Sequence, residues 1–415
     1  MRKLLLGGLA LLLLVAGAVV AFVLYKKHEG RNIRGSASVE FETTQTTPKR
    51  APAELRQVPW PTYGRDAARL RVAPDLRLRP PFRRLWVAGG GDLLEFPPAI
   101  GYGRLYLSNN PGTLFALSTR TGRRAWSFHT HRCTAASPAL DRSTVFASFM
   151  SRGACNQTRS GLDGEVVALE VGNGKPRWIT KIGPTESSPL VANGRVYVGD
   201  WRGKVYALDK HTGRIRWSFQ TGDKVKGGVA LSGSRLFVGS YDGHVYALNA
   251  HTGRLIWRAS GQPRLGGSGT FYSTPAVAYG RVYIGSTDGK MYSFGATSGK
   301  LRWSHGTGGY VYSSPAVWNR RVYAGSYDHT FYCFDAATGD VHWSFHANGP
   351  ISGSPTIVDG IVYFATLAQR TYALDAISGK QVWTFPDGKY SPVVADQKRL
   401  YLVGYARVYG LVPKR

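Results

Sequence analysis

From about Trp60 onward, apolar residues come in short runs of four to six positions, and Gly, Asn or Asp ends each run. Such runs predict strands, not helices. One unit reads "SSPAVW", then "RRVYAGSY", then across a tight turn "TFYCFDA", and after "ATG" the strand "VHWSF". That is four strands. The last two recur almost letter for letter as "VYALDKHTGRIRW" (205–217), "VYALNAHTGRLIW" (245–257) and "TYALDAISGKQVW" (371–383). "YDG" and "TDG" supply hairpin turns in which Gly takes a positive φ.

The Trp that ends the motif stands at 126, 178, 217, 257, 303, 343 and 383, with spacings of 52, 39, 40, 46, 40 and 40. A Ser-Pro-like start recurs at Pro98, Pro138, Pro189, Pro275, Pro315, Pro355 and Pro392, and Gly228-Val229 fills the gap in that series. A period near 40 with four strands per unit predicts a β-propeller. The last unit has three strands and no terminal Trp. The missing strand is "PFRRLWVAGG", whose Trp86 lies 40 residues before Trp126. The expectation is an all-β, eight-bladed β-propeller closed by an N-terminal strand.

Most of the repeat is mechanical. Gly122, Gly213, Gly253 and Gly339 sit in the turn between third and fourth strands. Asp209, Asn249, Asp335 and Asp375 before them suit side-chain bonds to turn amides. Ala207, Ala247 and Ala373 keep the third strand thin, so that a Trp from a neighbouring blade can lie against it.

Upstream the pattern changes. Residues 4–25 carry no charge and are long enough to cross a bilayer as one helix. Ala16-Gly-Ala18 offers a signal-peptidase site, but the apolar run continues seven residues beyond it, which favours an uncleaved anchor. Residues 26–59 are polar and aperiodic and read as a linker holding the domain off the membrane. The division is therefore anchor 1–25, linker 26–59 and propeller 60–415. The net charge is +28, of which +20 lies beyond residue 80, so the excess is spread over the domain. Such a surface favours anionic partners. Basic residues scattered over all blades of an exported domain argue against nucleic acid.

The letters A-x-D-x-x-T-G-K-x-x-W, together with "WPTYGRDAARLRVAP" (60–74), resemble the quinoprotein (pyrroloquinoline-quinone dehydrogenase-like) propeller family. The resemblance covers Trp60 to the C-terminus and implies eight blades. It leaves function open, because the family holds both dehydrogenases and non-catalytic scaffolds. Its catalytic members use adjacent cysteines, an Asp base, Ca²⁺ held by Glu and Asn, and in many cases a haem-binding C-x-x-C-H. Here Cys133, Cys155 and Cys333 are never adjacent and C-x-x-C-H is absent. No catalytic, cofactor or metal residue is assigned. Glu186 reads as a solvated or salt-bridged loop residue before a metal ligand.

"FHTHRC" places His129, His131 and Cys133 within ligating spacing, with Cys155 as a possible fourth ligand for zinc. A Cys133–Cys155 disulfide is the simpler expectation in an exported domain. Cys333 replaces the motif Ala and reads as a buried thiol. "GGSGTFY" leads into a strand, so it is no dinucleotide loop.

Two insertions, "MSRGACNQTRSGLDG" in the second unit and "GQPRLGGSGTFY" before the fifth, fall on the same propeller face. Insertions gathered on one face of a repeat array mark its binding face. Trp201, Tyr241, Phe271, Tyr272, Tyr310 and Tyr327 belong to that side, with Lys224, Lys226 and Arg264 as a basic border. For each aromatic, packing against a neighbouring loop is the competing reading. The sequence thus suggests a single-pass cell-membrane protein with an extracytoplasmic propeller, a scaffold in a bacterial envelope. Its partner would be an envelope protein or an anionic polymer, and it would need no cofactor. The alternative is a dehydrogenase that takes pyrroloquinoline quinone with Ca²⁺ in an atypical site.

Overall fold

The structure is a computed structural model that describes residues 2–44, 57–152, 155, 163–263, 269–391 and 393–414. Eight sheets are arranged in a ring. The third blade shows the plan: Leu190–Ala192 innermost, then Arg195–Gly199, Lys204–Asp209 and, outermost, Ile215–Gln220. Its second and third strands are buried on both faces, so they read as apolar runs. The outermost alternates between exposed and half-buried side chains. The other blades occupy 99–129, 139–182, 230–260, 276–306, 316–346, 356–385 and 393–413. The expected closure holds. Phe82–Gly89 pairs antiparallel with Arg407–Pro413, placing Trp86 opposite Gly410.

Successive blades are joined by Trp on Gly. Gly122, Gly174, Gly213, Gly253, Gly299, Gly339 and Gly379 all have φ between 69° and 79°. Each lies on the indole of the preceding blade: a Cβ there would stand 2.5 to 2.7 Å from the rings of Trp86, Trp126, Trp178, Trp217, Trp257, Trp303 and Trp343. No other residue type fits both the backbone and the gap. Six of the indoles also donate Nε1–H to a carbonyl of that turn, as Trp217 does to Ala250 (3.2 Å) and Trp303 to Ala336 (2.9 Å). The Ala expectation is corrected. Ala207 faces Trp217 of its own blade, and Cys333 faces Trp343 in the same way. The neighbouring blade contributes the glycine, because the outermost strand tilts its Trp across the interface. Asp209, Asn249, Asp335 and Asp375 do accept the two turn amides after them, at 2.8–3.1 Å.

Residues 60–78 do not lie outside the ring; they plug its axis. Carbonyls of Pro61, Ala67, Ala68, Leu70 and Arg71 accept the amides of Leu140, Leu231, Val277, Val317 and Ile357, each in a different innermost strand. Val72–Ala73 adds a parallel strand to the seventh blade. Arg69 has no exposed surface; it donates to the carbonyls of Val229 (2.8 Å) and Ser188 (3.1 Å) and to Thr62 Oγ1 (2.7 Å). A guanidinium has enough donors to bind several blades at once.

The linker expectation for 26–59 is corrected over residues 30–42. This stretch is strapped along the outside of the fifth and sixth blades. Ile33 bridges Ser304, and Arg34 pairs with Asp340 at 2.8 Å. Glu40 accepts the amides of Thr297 (3.0 Å) and Ser298 (2.9 Å) and pairs with Arg302. Desolvation opposes ionisation of Glu40, but hydrogen bonds from Ser298 and Arg302 outweigh it and hold its pKa to about 2. Ion pairs and backbone bonds hold the strap, not an apolar face, so its periodicity is silent.

Helix α1, Arg2–Glu29, precedes the strap; side chains are described over 12–25, all exposed. Among the described residues no helix is long and apolar enough to cross a membrane. The Cys133–Cys155 disulfide is formed and Cys333 is a buried free thiol, as expected. Cys133 is therefore not available to a metal.

Removing the closing indole by Trp86→Ala is expected to cost about 3–5 kcal/mol in denaturant melts, the range for emptying a buried Trp site. Gly253→Ala, at φ 76°, should also destabilise. A loss under about 1 kcal/mol for Trp86→Ala would mean that the backbone ladder alone closes the ring.

Candidate binding face

The loops joining the outermost strand of one blade to the innermost strand of the next converge on the axis above the plug. The Ser-Pro start has a structural purpose here. The residue before the proline carries a hydroxyl in most units, and that hydroxyl accepts an amide from the preceding blade. Ser188 accepts from Ser137 (3.0 Å), Thr274 from Gly228 (2.7 Å), Ser314 from Thr274 (2.9 Å) and Ser354 from Ser314 (2.9 Å). Tyr63 of the plug reaches up to Ser354 Oγ at 2.7 Å and forms the floor.

Three positions before each proline, or before Val229, the residue changes from blade to blade: Glu95, Ala135, Glu186, Lys226, Tyr272, Tyr312, Ser352 and Lys389. Six of these eight line a cavity of about 70 Å³, the exceptions being Ala135 and Lys389. Lys226 Nζ sits 3.0 Å from Glu186 Oε1, and 4.3, 5.2 and 5.8 Å from the ring centres of Trp201, Tyr241 and Tyr272. Glu186 also accepts from Trp201 Nε1 at 3.1 Å. The salt-bridged reading of Glu186 is the observed one. Lys226 is thus paired and caged by rings, and contributes to the cavity wall rather than to a free basic border.

The aromatic residues form one arc over the third to sixth blades. Tyr241 meets Tyr272 at 6.4 Å, Tyr272 meets Tyr312 at 5.2 Å, and Tyr312 meets Tyr310 and Tyr327 at 5.8 and 5.1 Å. Tyr310 is 50% exposed, and Lys224 stands 5.9 Å from the Trp201 ring. Phe271 is corrected. It has no exposed surface and points down against Tyr292 and Phe294, because it is the loop residue next to Tyr272 and turns the opposite way. Arg264, with 265–268 of its insertion, and residues 153–154 and 156–162 of the other lie outside the described residues. Glu95, Tyr312 and Tyr390 were not picked out by sequence reasoning; the first two share the register of Glu186, three before the proline, which was the available signal.

Free positive charge collects on the opposite face. The residue after the turn glycine is Arg123, Lys175, Arg214, Arg254, Lys300 or Lys380 in six blades, all exposed and none in an ion pair among the described residues. In the sixth blade it is Asp340, which the strap's Arg34 occupies.

Four-stranded blades, an indole on the next blade's turn glycine and circular closure define a Trp-docked propeller of the quinoprotein type. The chain belongs to the PQQ-type repeat family described as outer membrane protein assembly factor BamB, which matches residues 84–200, 201–313 and 306–414. The quinohemoprotein alcohol dehydrogenase of Comamonas testosteroni is 29% identical over 181 residues, 42% of this chain and 20% of that one. BamB of Xanthomonas campestris pv. campestris is 29% identical over 133 residues, 29% of this chain and 30% of that one. These matches span no more than about a third of either relative's length. The crystal structure of BamB from Moraxella catarrhalis superposes with a TM-score of 0.64 at 18% identity, covering 80% of this chain and all of that one, a likeness of fold.

Burial and the nearby Glu186 charge raise the Glu95 pKa from 4.5 to about 7, against a hydrogen bond from Asn110 (3.0 Å) that favours the anion. Between about pH 4.5 and 7 the unfolded chain releases this proton while the folded protein retains it. Stability therefore falls as pH rises through that window and then levels off. Glu95→Gln should remove the dependence. Wild type is expected to lose ~2 kcal/mol more than Glu95→Gln between pH 5 and pH 8. Parallel pH–stability curves for the two would place the Glu95 carboxyl in free solvent.

Proposed function

We propose that this chain is a membrane-anchored, extracytoplasmic propeller scaffold that holds an envelope protein against its aromatic face. The carrying observation is the arc from Trp201 to Tyr327, which ends in the half-exposed Tyr310 above a closed axis. Rigid aromatic anchors at low entropic cost are what protein recognition uses. Anchoring is supported by the 22 uncharged residues of 4–25, which as a helix reach ~33 Å. The assembly role belongs to the BamB relatives, and the shared family is what brings it to this chain.

The dehydrogenase alternative is disfavoured by the cavity. A three-ring tricarboxylate quinone needs several times the 70 Å³ above Tyr63. Recognition of an anionic polymer is a second reading. It moves to the opposite face, where the six unpaired cations stand.

A photoreactive residue at Lys224 in intact cells is expected to capture one predominant envelope protein, and Tyr272→Ala should reduce capture while the melt stays cooperative. Capture from Arg254 or Lys300 instead, lost as salt rises, would favour the polymer reading. Added pyrroloquinoline quinone with Ca²⁺ should give no saturable heat in calorimetry; tight Ca²⁺-dependent binding would restore the enzyme.

A further inference from the structure

The strap ties the chain that follows residues 4–25 to one end of the fifth blade. This inference rests on the anchored reading of residues 4–25. The chain meets the propeller at the aromatic-face ends of the fifth blade's strands. Lys290, which opens the strand Lys290–Gly295, donates Nζ to the Gly30 carbonyl. Gln262, just past the strand Leu255–Ser260, donates to the Arg31 carbonyl at 2.9 Å. Asn32 Oδ1 accepts the amide of Gly306, the last residue of Leu301–Gly306, at 2.8 Å. From there the strap runs away from this face. Gly35 donates to the Thr338 carbonyl, Glu40 holds Ser298 and Arg302, and Phe41 stacks on Tyr279 (5.5 Å) in a turn of the opposite face.

Chain length does the rest. The uncharged run ends at Tyr25, and Gly30 is already tied down. Five residues reach at most ~17 Å extended and ~8 Å as helix. Blade strands of six residues stand ~20 Å tall, so the opposite face cannot be the near one. Tyr310 follows Gly306 by four residues on this rim and is half exposed, which suits a Tyr at the headgroup level.

We propose that residues 30–42 clamp the aromatic face toward the bilayer, with the rim of the fifth and sixth blades at Tyr310 resting in the lipid headgroup layer. The ring of free cations then points away from the membrane. The bilayer is the occupant of that rim, and any protein partner of the remaining arc is met at the membrane surface.

The test uses the full chain in phosphatidylcholine–phosphatidylglycerol vesicles carrying headgroup-nitroxide lipid. Single thiols are introduced by Tyr310→Cys or Lys300→Cys in a Cys333→Ala background and labelled with a fluorophore. Quenching at position 310 is expected to exceed that at 300 several-fold, and the pair Arg34→Ala with Glu40→Ala should level the two while the melt remains cooperative. Equal quenching in vesicle-bound wild type, or stronger quenching at 300, overturns the orientation and leaves the anchor standing. A difference that survives the strap variant overturns the clamp. Failure to float with vesicles overturns the anchored reading itself, and this inference with it.

Discussion

Everything in this ring depends on an indole lying on a glycine of the next blade. A propeller has no central core; each blade is a small twisted sheet, too thin to be stable alone, and it gains stability only by packing on two neighbours. The contact must therefore be large, dry and the same at each repeat. An indole meets the first two needs, and the turn glycine admits it because a Cβ would stand within 2.7 Å of the ring. Where the turn glycine is lacking, between the seventh and eighth blades, Trp383 packs edge-on against Phe82 of the closing strand at 5.4 Å. That strand comes from the other end of the domain, so closure joins sequence-distant segments and hides the last blade's open edge.

The axis is the second constraint. Eight innermost strands leave a hole whose amides and carbonyls need partners. The chain fills it with its own residues 60–78, which bond to innermost strands around the ring. Arg65, Arg69 and Arg71 all adopt positive φ, at 70°, 64° and 60°, and Arg69 turns its side chain inward to carbonyls at the start of the third and fourth blades. The strain of three left-handed arginines is offset by these charge-assisted bonds. A through-channel is thereby reduced to a shallow cavity over Tyr63, which is why the broad face, not a deep pocket, is the feature available to a partner.

Blade number, closure at Trp86 and the Cys133–Cys155 bond were legible because each follows from spacing or residue type alone. The direction of the Trp contact was not: strand order says which residues face Ala207, but only the tilt of the outermost strand shows that the glycine beneath the indole belongs to the next blade. The strap was illegible for a different reason. Its stability comes from Glu40 with Arg302 and Arg34 with Asp340, pairs more than 250 residues apart, and no local pattern encodes them. The face was half legible. Trp201, Tyr241, Tyr272, Tyr310 and Tyr327 do come together, whereas Phe271 differs from Tyr272 by one step along a loop and falls into the core.

The repeat also separates what it must keep from what it is free to vary. At the residue before the proline a hydroxyl takes an amide from the preceding blade, so that position is tied to ring geometry. Two residues earlier the side chain varies, and the eight blades present two glutamates, an alanine, two lysines, two tyrosines and a serine. A repeat built for packing alone would have no cause to diversify there. Lys226 illustrates the consequence: Glu186 answers its charge and three aromatic rings surround it, so substituting either partner leaves the other buried and unmatched. The variable ring is thus coupled internally, and a partner that reaches past Tyr310 meets a surface already fixed in shape and charge before it arrives.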